Sequence, residues 1–123
     1  MGGGSMVPRG MSFRSALAAG YVEAWRSRPY LTWVKSLPCV VCAGAQGASD
    51  PHHVTGMFRG TGKRAPDCLV LPLCRVCHEQ LHAAPKSWEA QHGDQLMHAL
   101  MALTQAIHQG VLGVGGGGAD KDP

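Results

Sequence analysis

The chain has 123 residues, 11 Lys and Arg against 8 Asp and Glu, a net charge of +3, and a 45% hydrophobic composition. It has no apolar run long enough to span a bilayer and no signal-peptide hydrophobic region, which argues against a membrane protein and against an exported disulfide scaffold. Its length suits one domain, and a core of about a hundred residues is often reinforced by a structural metal.

Residues 1–11 carry a Gly-rich start and then Val7-Pro8-Arg9-Gly10. They look like a tag and protease-site scar and are expected to lie outside the domain. The domain is expected over residues 12–112. Residues 113–123 are Gly-rich and then charged, with no apolar period, and are expected to be disordered.

Ser12 to Arg26 is expected to be helical, because Leu17, Tyr21 and Trp25 recur at i, i+4 and i+8. Pro29 suits the first turn of a second, short helix with Tyr30, Trp33, Val34 and Leu37 on one face. Trp25 and Trp33 are expected to anchor the core. Pro38 ends this helix. Cys39-Val40-Val41-Cys42-Ala43-Gly44 then has the form of a zinc knuckle, with Gly44 expected to make the turn.

A polar loop leads to Asp50-Pro51-His52-His53-Val54. Adjacent histidines in an extended segment point to opposite sides, so one can bind a metal while the other faces elsewhere. Asp50 before Pro51 suits a turn, or an acceptor for a metal-bound imidazole. Gly56 to Arg64 is a Gly-rich basic loop that lacks the spacing of a phosphate-binding Walker A loop. Either it touches phosphates or it is a solvated loop. Residues 9–64 hold eight Lys and Arg against Glu23 and Asp50, a candidate polyanion surface.

Asp67 to Leu73 is expected to be a strand. Leu73-Cys74-Arg75-Val76-Cys77-His78-Glu79-Gln80-Leu81-His82 follows, with a helix expected to begin near Cys77. After Pro85, Trp88, Leu96, Leu100, Leu103, Ile107 and Val111 keep a helical period that Gly93 and Asp94 interrupt, with Asp94 as a new N-cap. His92, His98 and His108 lack ligand spacing.

Four of the five cysteines form two Cys-x-x-Cys pairs with 31 residues between them; Cys68 stands alone. In a reducing compartment these are thiolates for metal rather than disulfides. His78-Glu79-Gln80-Leu81-His82 also satisfies the metalloprotease pattern, but a protease would leave Cys74 and Cys77 unexplained. A purely structural zinc module of Cys39, Cys42, Cys74 and Cys77 would leave the histidines idle. A third arrangement uses both sets. The thiolates form a closed zinc site, and His52, His78 and His82 form an open site beside His53, which is free to act as a general base.

In order along the chain, Leu-Pro-Cys-x-x-Cys, Asp-Pro-His-His, Gly-x-Gly-Lys, Pro-Asp-x-x-x-x-Pro-Leu-Cys-x-x-Cys-His-x-x-x-His and Trp-Glu-x-x-His-Gly resemble the zinc-supported branch of the HNH endonuclease superfamily. They are similar in particular to phage and prophage recombination-enhancement (RecA-dependent) nucleases. The resemblance covers Tyr30 to Gln95. It implies an α+β fold with a ββα-metal (His-Me finger) core, a structural four-cysteine zinc site and flanking helices. It also implies hydrolysis of DNA phosphodiester bonds with one catalytic divalent ion, Mg²⁺, Mn²⁺, Ni²⁺ or Zn²⁺, three imidazoles favouring a transition metal over Mg²⁺.

His53 falls at the general base of that family, and His52, His78 and His82 at the metal ligands. Asp67 falls where an Asn or His usually stands. It either supports the His53 imidazolium directly or braces the loop. Arg59, Lys63 and Arg64 are the expected DNA phosphate contacts. Expected partners are DNA and a recombinase filament, with no membrane, in the cytoplasm of a bacterial or phage-infected cell. The alternative is a non-catalytic zinc-supported DNA-binding or recombination accessory module.

Overall fold

The computed structural model describes residues 6–44 and 49–113. The expected tail beyond residue 113, the first five residues of the expected tag and most of the polar loop before Ser49 lie outside the described residues. The described chain is a small α+β unit of five helices and one two-stranded antiparallel sheet. No described helix is long and apolar enough to cross a membrane.

Helix α1 spans Phe13–Ala19 and is capped by the Ser12 hydroxyl, which accepts from Ser15 N. It stops well short of the expected Arg26. Gly20 adopts φ 86°, a left-handed conformation that ends a helix cheaply only at glycine. The apolar period beyond Gly20 is therefore not helical. Tyr21 and Trp25 are 42% and 40% exposed, so Trp25 is not the expected core anchor; it leans on the buried Tyr30 with ring centroids 5.7 Å apart.

Helix α2, Arg28–Lys35, starts behind the Ser27 cap with Pro29 in its first turn, as expected. It buries Tyr30 and Val34, while Trp33 is half-buried. In the knuckle after α2, the residue with positive φ is Ala43, at 58°, rather than the expected Gly44.

Strand β1 is Asp50–His53 and β2 is Val70–Leu73, a shorter strand than expected. Asp50 pairs with Leu73, His52 with Leu71 and His53 with Val70. Residues directly opposite share a face, and neighbours along a strand alternate faces. Leu71 and Leu73 belong to one buried cluster with Cys77, Leu81 and Trp88. Val70 belongs to another with Tyr30, Val34 and Ala106. The sheet is thus covered on both sides, with α3 on the His52 side and α2 on the His53 side. All four residues of β2 are buried.

Helix α3, Arg75–Ala83, begins two residues before the expected start. Its cap residue Cys74 makes no side-chain cap hydrogen bond, because its sulfur faces the other cysteines. Helix α4 is Pro85–His92, and α5 is Gln95–His108 behind the Asp94 cap, matching the expected break. The buried face of α5 is Gln95, Ala99, Ala102 and Ala106, whereas Leu100 and Ile107 are exposed. Small side chains let α5 lie close against β2, so Met97, Leu100, Met101 and Ile107 turn outward while Leu96 and Leu103 pack at the margins of the core.

Candidate functional site

Two clusters of ligand atoms lie at the two ends of the first turns of α3. The sulfurs of Cys39, Cys42, Cys74 and Cys77 all lie within 4.8 Å of one another, and Cys42 Sγ is 3.8 Å from Cys74 Sγ. A tetrahedral zinc with bonds of about 2.3 Å needs sulfurs about 3.8 Å apart, so the set has the dimensions of a structural zinc site. The knuckle is tied to the sheet edge by Val40 N, which donates to Pro72 O at 3.0 Å. Burial opposes the Cys39 thiolate, but the amides of Cys42, Cys74 and Val41 outweigh it and bring the thiol down to about 7. Burial and the neighbouring sulfurs push Cys77 up. A cation held by Cys39, Cys42, Cys74 and Cys77 would remove that conflict by favouring all four thiolates.

His52, His78 and His82 form the second cluster, also within 4.8 Å. His52 reaches it from β1, while His78 and His82 stand one turn apart on α3. The tautomers of two rings follow from their other partners. Gln95 Oε1 accepts from Thr55 N at 3.0 Å, so the same oxygen, 3.0 Å from His52 Nε2, accepts a hydrogen bond from an N–H of that ring. His78 Nδ1 donates to Asp50 Oδ2 at 2.9 Å. In the neutral rings the unprotonated nitrogens are then His52 Nδ1 and His78 Nε2, and these stand 3.0 Å apart. His82 Nε2 is 3.1 Å from His78 Nε2.

Facing lone pairs at this distance repel unless a positive charge stands where they meet. Tetrahedral bonds of about 2.0–2.1 Å place imidazole nitrogens about 3.3 Å apart, so the spacing fits a bound divalent ion. Burial pushes His52 down to about 4, opposed by Gln95 and reinforced by His78 and His82, which keeps the ring in its neutral, ligating form.

Asp50 is therefore an acceptor for the His78 imidazole, not only a turn residue. Gln95, 2% exposed at the start of α5, was not legible as a site residue. Such partners orient ligand rings. Replacing Gln95 by Met, which keeps bulk but removes the acceptor, is expected to weaken metal affinity at the histidine cluster by about 10–100-fold. Competition titration with a chromophoric chelator measures this, with metal retention at the cysteine cluster as the control. With metal added, the wild type is expected to bind two ions per chain and His78→Ala one.

His53 faces the other side of the sheet. Its Nε2 donates to Asp67 Oδ1 at 2.8 Å. Asp67 is 3% exposed and also accepts from Ser27 N at 2.8 Å and from Arg26 Nη1 at 3.1 Å. Burial would raise the Asp67 carboxyl, but the hydrogen bonds from His53, Ser27 and Arg26 bring it down on balance. The carboxylate fixes the proton on Nε2, which leaves the Nδ1 lone pair of a neutral His53 without a hydrogen-bond partner among the described residues. Arg26 also donates to Ala65 O at 2.6 Å, so it braces the loop that carries Asp67. Asp67 thus does both things that the sequence left open for it: it touches His53, and through Ser27 N and Arg26 it anchors the loop. No signal in the sequence marked Arg26.

The expected phosphate contacts fare unequally. Arg59 and Arg64 are exposed and line a cavity of about 280 Å³ beside His53. Lys63 lines it too, but its Nζ donates to Leu17 O at 3.0 Å, so its charge is tied to the end of α1. Glu79 is exposed.

A family model described as "Protein of unknown function (DUF968)" matches residues 14–110. The chain is 39% identical over 89 residues to the Escherichia coli K12 protein described as "Uncharacterized protein YdfU". That match takes in 72% of this chain but only 25% of the relative, so the chain spans about a quarter of the length of that protein. No solved structure matches.

Proposed function

The chain belongs to the DUF968 family, and for this member we propose a metal-dependent DNA endonuclease of the HNH type, built on a ββα-metal core of β1, β2 and α3. The observation that carries the proposal is the division of labour between two adjacent residues. His52 meets His78 and His82 on one side of the sheet, while His53 stands on the other with its tautomer fixed by Asp67. Three neutral imidazoles suit Zn²⁺, Mn²⁺ or Ni²⁺ better than Mg²⁺.

A divalent ion held by His52, His78 and His82 would polarise the scissile phosphate and stabilise the leaving oxyanion. The chain's own part is proton transfer and positioning. His53 takes a proton from the attacking water at Nδ1. The resulting imidazolium is stabilised by Asp67 at Nε2. Arg26 and Ser27 N hold Asp67 in place as positioning groups, since neither touches the reacting atoms. Arg59 and Arg64 contact phosphates without reading bases, so binding is salt-sensitive and indifferent to sequence. The role in phage or prophage recombination, beside a recombinase filament, goes with the family resemblance of the motifs.

The test is nicking of supercoiled plasmid by zinc-loaded protein with added Mg²⁺, Mn²⁺ or Ni²⁺. The wild type should convert it to open circles and His78→Ala should not. DNA bound by the wild type but left intact under every ion would instead identify an accessory DNA-binding module.

A further inference from the structure

Two hollows flank the His53–Asp67 pair, and of the expected phosphate contacts Arg59 and Lys63 line only the one beside His53. The second, of about 550 Å³, runs between α2 and the loop into Asp67. Arg26, Arg28, Lys35 and Arg64 line it, and Arg64 lines the cavity beside His53 as well.

Its charge is one-sided. Asp67 is the carboxylate in its wall, and that group already pairs with Arg26 and His53. Arg28, Lys35 and Arg64 form no ion pair among the described residues, and all three are exposed. Arg28 and Lys35 open and close α2, two helical turns apart and so on one face. At 1.5 Å per residue they stand about 10 Å apart along the helix, which matches roughly three phosphates of one strand at about 3.4 Å each along a duplex axis. Unpaired cations at such a spacing gain most from a ligand with regularly repeated negative charge.

We infer that this groove seats the phosphodiester backbone of DNA on the far side of the scissile bond from the Arg59 cavity. Arg28 and Lys35 are its phosphate contacts, and Arg64 is shared between the two sides. The inference rests on the endonuclease proposed above and adds a path for the strand, from the Arg59 cavity across His53 and along α2 from Arg28 to Lys35. Phosphate contacts there set register on the strand and carry no base preference.

The test separates binding from cleavage. Zinc-loaded protein carrying His53→Ala is titrated into a fluorescein-labelled duplex, and into the single strand, at several salt concentrations. The same protein carrying Arg28→Ala and Lys35→Ala as well should bind about tenfold more weakly whatever the DNA sequence, and the slope of log Kd against log salt should shrink by about 1.4–1.8 for two lost phosphate contacts. Arg28→Lys with Lys35→Arg should restore both. Because both residues are exposed, zinc content and the thermal melt should not change.

Unchanged Kd and salt slope, in a protein whose wild type binds and nicks DNA, overturn the groove and leave the endonuclease standing. The expected loss of binding, in a protein whose wild type never nicks plasmid, supports the groove and removes the endonuclease. No binding of either oligonucleotide overturns both.

Discussion

Replacing His53 with alanine is expected to slow plasmid nicking by about 10²–10⁴-fold, the usual contribution of a positioned general base. That corresponds to about 3–5 kcal/mol of lost transition-state stabilisation. The loss should fall on kcat, since His53 is not among the proposed phosphate contacts. Two ions should still bind, because its side chain is on the opposite side of the sheet from His78 and His82. Asp67 keeps Arg26 and Ser27 N as partners in the variant, so the loop should stay in place. Equal nicking by variant and wild type would remove His53 from the chemistry.

The pH profile supplies a second readout. A base accepts a proton only when neutral. Burial lowers the affinity of His53 for its proton; the hydrogen bond to Asp67 opposes this, and the nearby Arg64 and Arg26 reinforce it. The net shift is downward, so the acid limb of the rate should lie below the ordinary histidine value of about 6.5. Activity should be full above that limb and fall as pH drops through it. His53→Ala should lack the limb altogether. Asp67→Asn, by weakening support for the imidazolium, should reduce the rate while leaving the metal content unchanged.

Loss of the ion at the cysteine cluster is the other large expected effect. Structural zinc sites bind with an apparent free energy of about 10–16 kcal/mol at neutral pH, and small domains are stable by only about 5–15 kcal/mol. Here Cys39 and Cys42 come from the knuckle after α2, while Cys74 and Cys77 come from the start of α3. Without an ion, two buried thiols, one half-buried and one exposed crowd one point, and α3 would lose the anchor that stands in for an N-cap bond. His78 and His82 ride on the same helix, so the histidine cluster should be lost with it.

Stripping zinc with a strong chelator, or replacing Cys77 with Ser, should therefore abolish the cooperative thermal transition and the near-ultraviolet circular dichroism. Zinc should restore the chelated wild type but not the variant. His78→Ala, by contrast, should keep the transition. A chelated, zinc-free protein that still melts cooperatively near the wild-type temperature would show that the cysteines are not what holds the fold.

The ligand set was legible because its information is local. A Cys-x-x-Cys pair turns two thiolates towards one point within a few residues, and histidines at i and i+4 share a helix face whatever surrounds the helix. The alternation of a strand separates His52 from His53 for the same reason. Pro29 in the first turn of α2 and Asp94 as the cap of α5 are equally local devices, and both stand where expected.

Periodicity misled where a local breaker or a packing distance decided the outcome. Gly20 cut the first helix although Tyr21 and Trp25 continued the pattern. On α5, alanines and larger apolar residues both repeat with a helical period. The alanines won the buried face because the helix lies close against β2, a distance that no run of residues encodes.

The sequence by itself thus determined which side chains can gather as metal ligands and that His52 and His53 face opposite sides of the sheet, since bond geometry over a few residues sets both. Only the tertiary structure decided what makes them a site. Asp67 reaches Arg26 across 41 residues, His78 reaches Asp50 across 28, and His52 reaches Gln95 across 43. These partners fix the tautomers and bring unprotonated nitrogens face to face. Such contacts arise from the packing of α2, α3 and α5 around two short strands, and they depend on distance in space rather than on spacing along the chain.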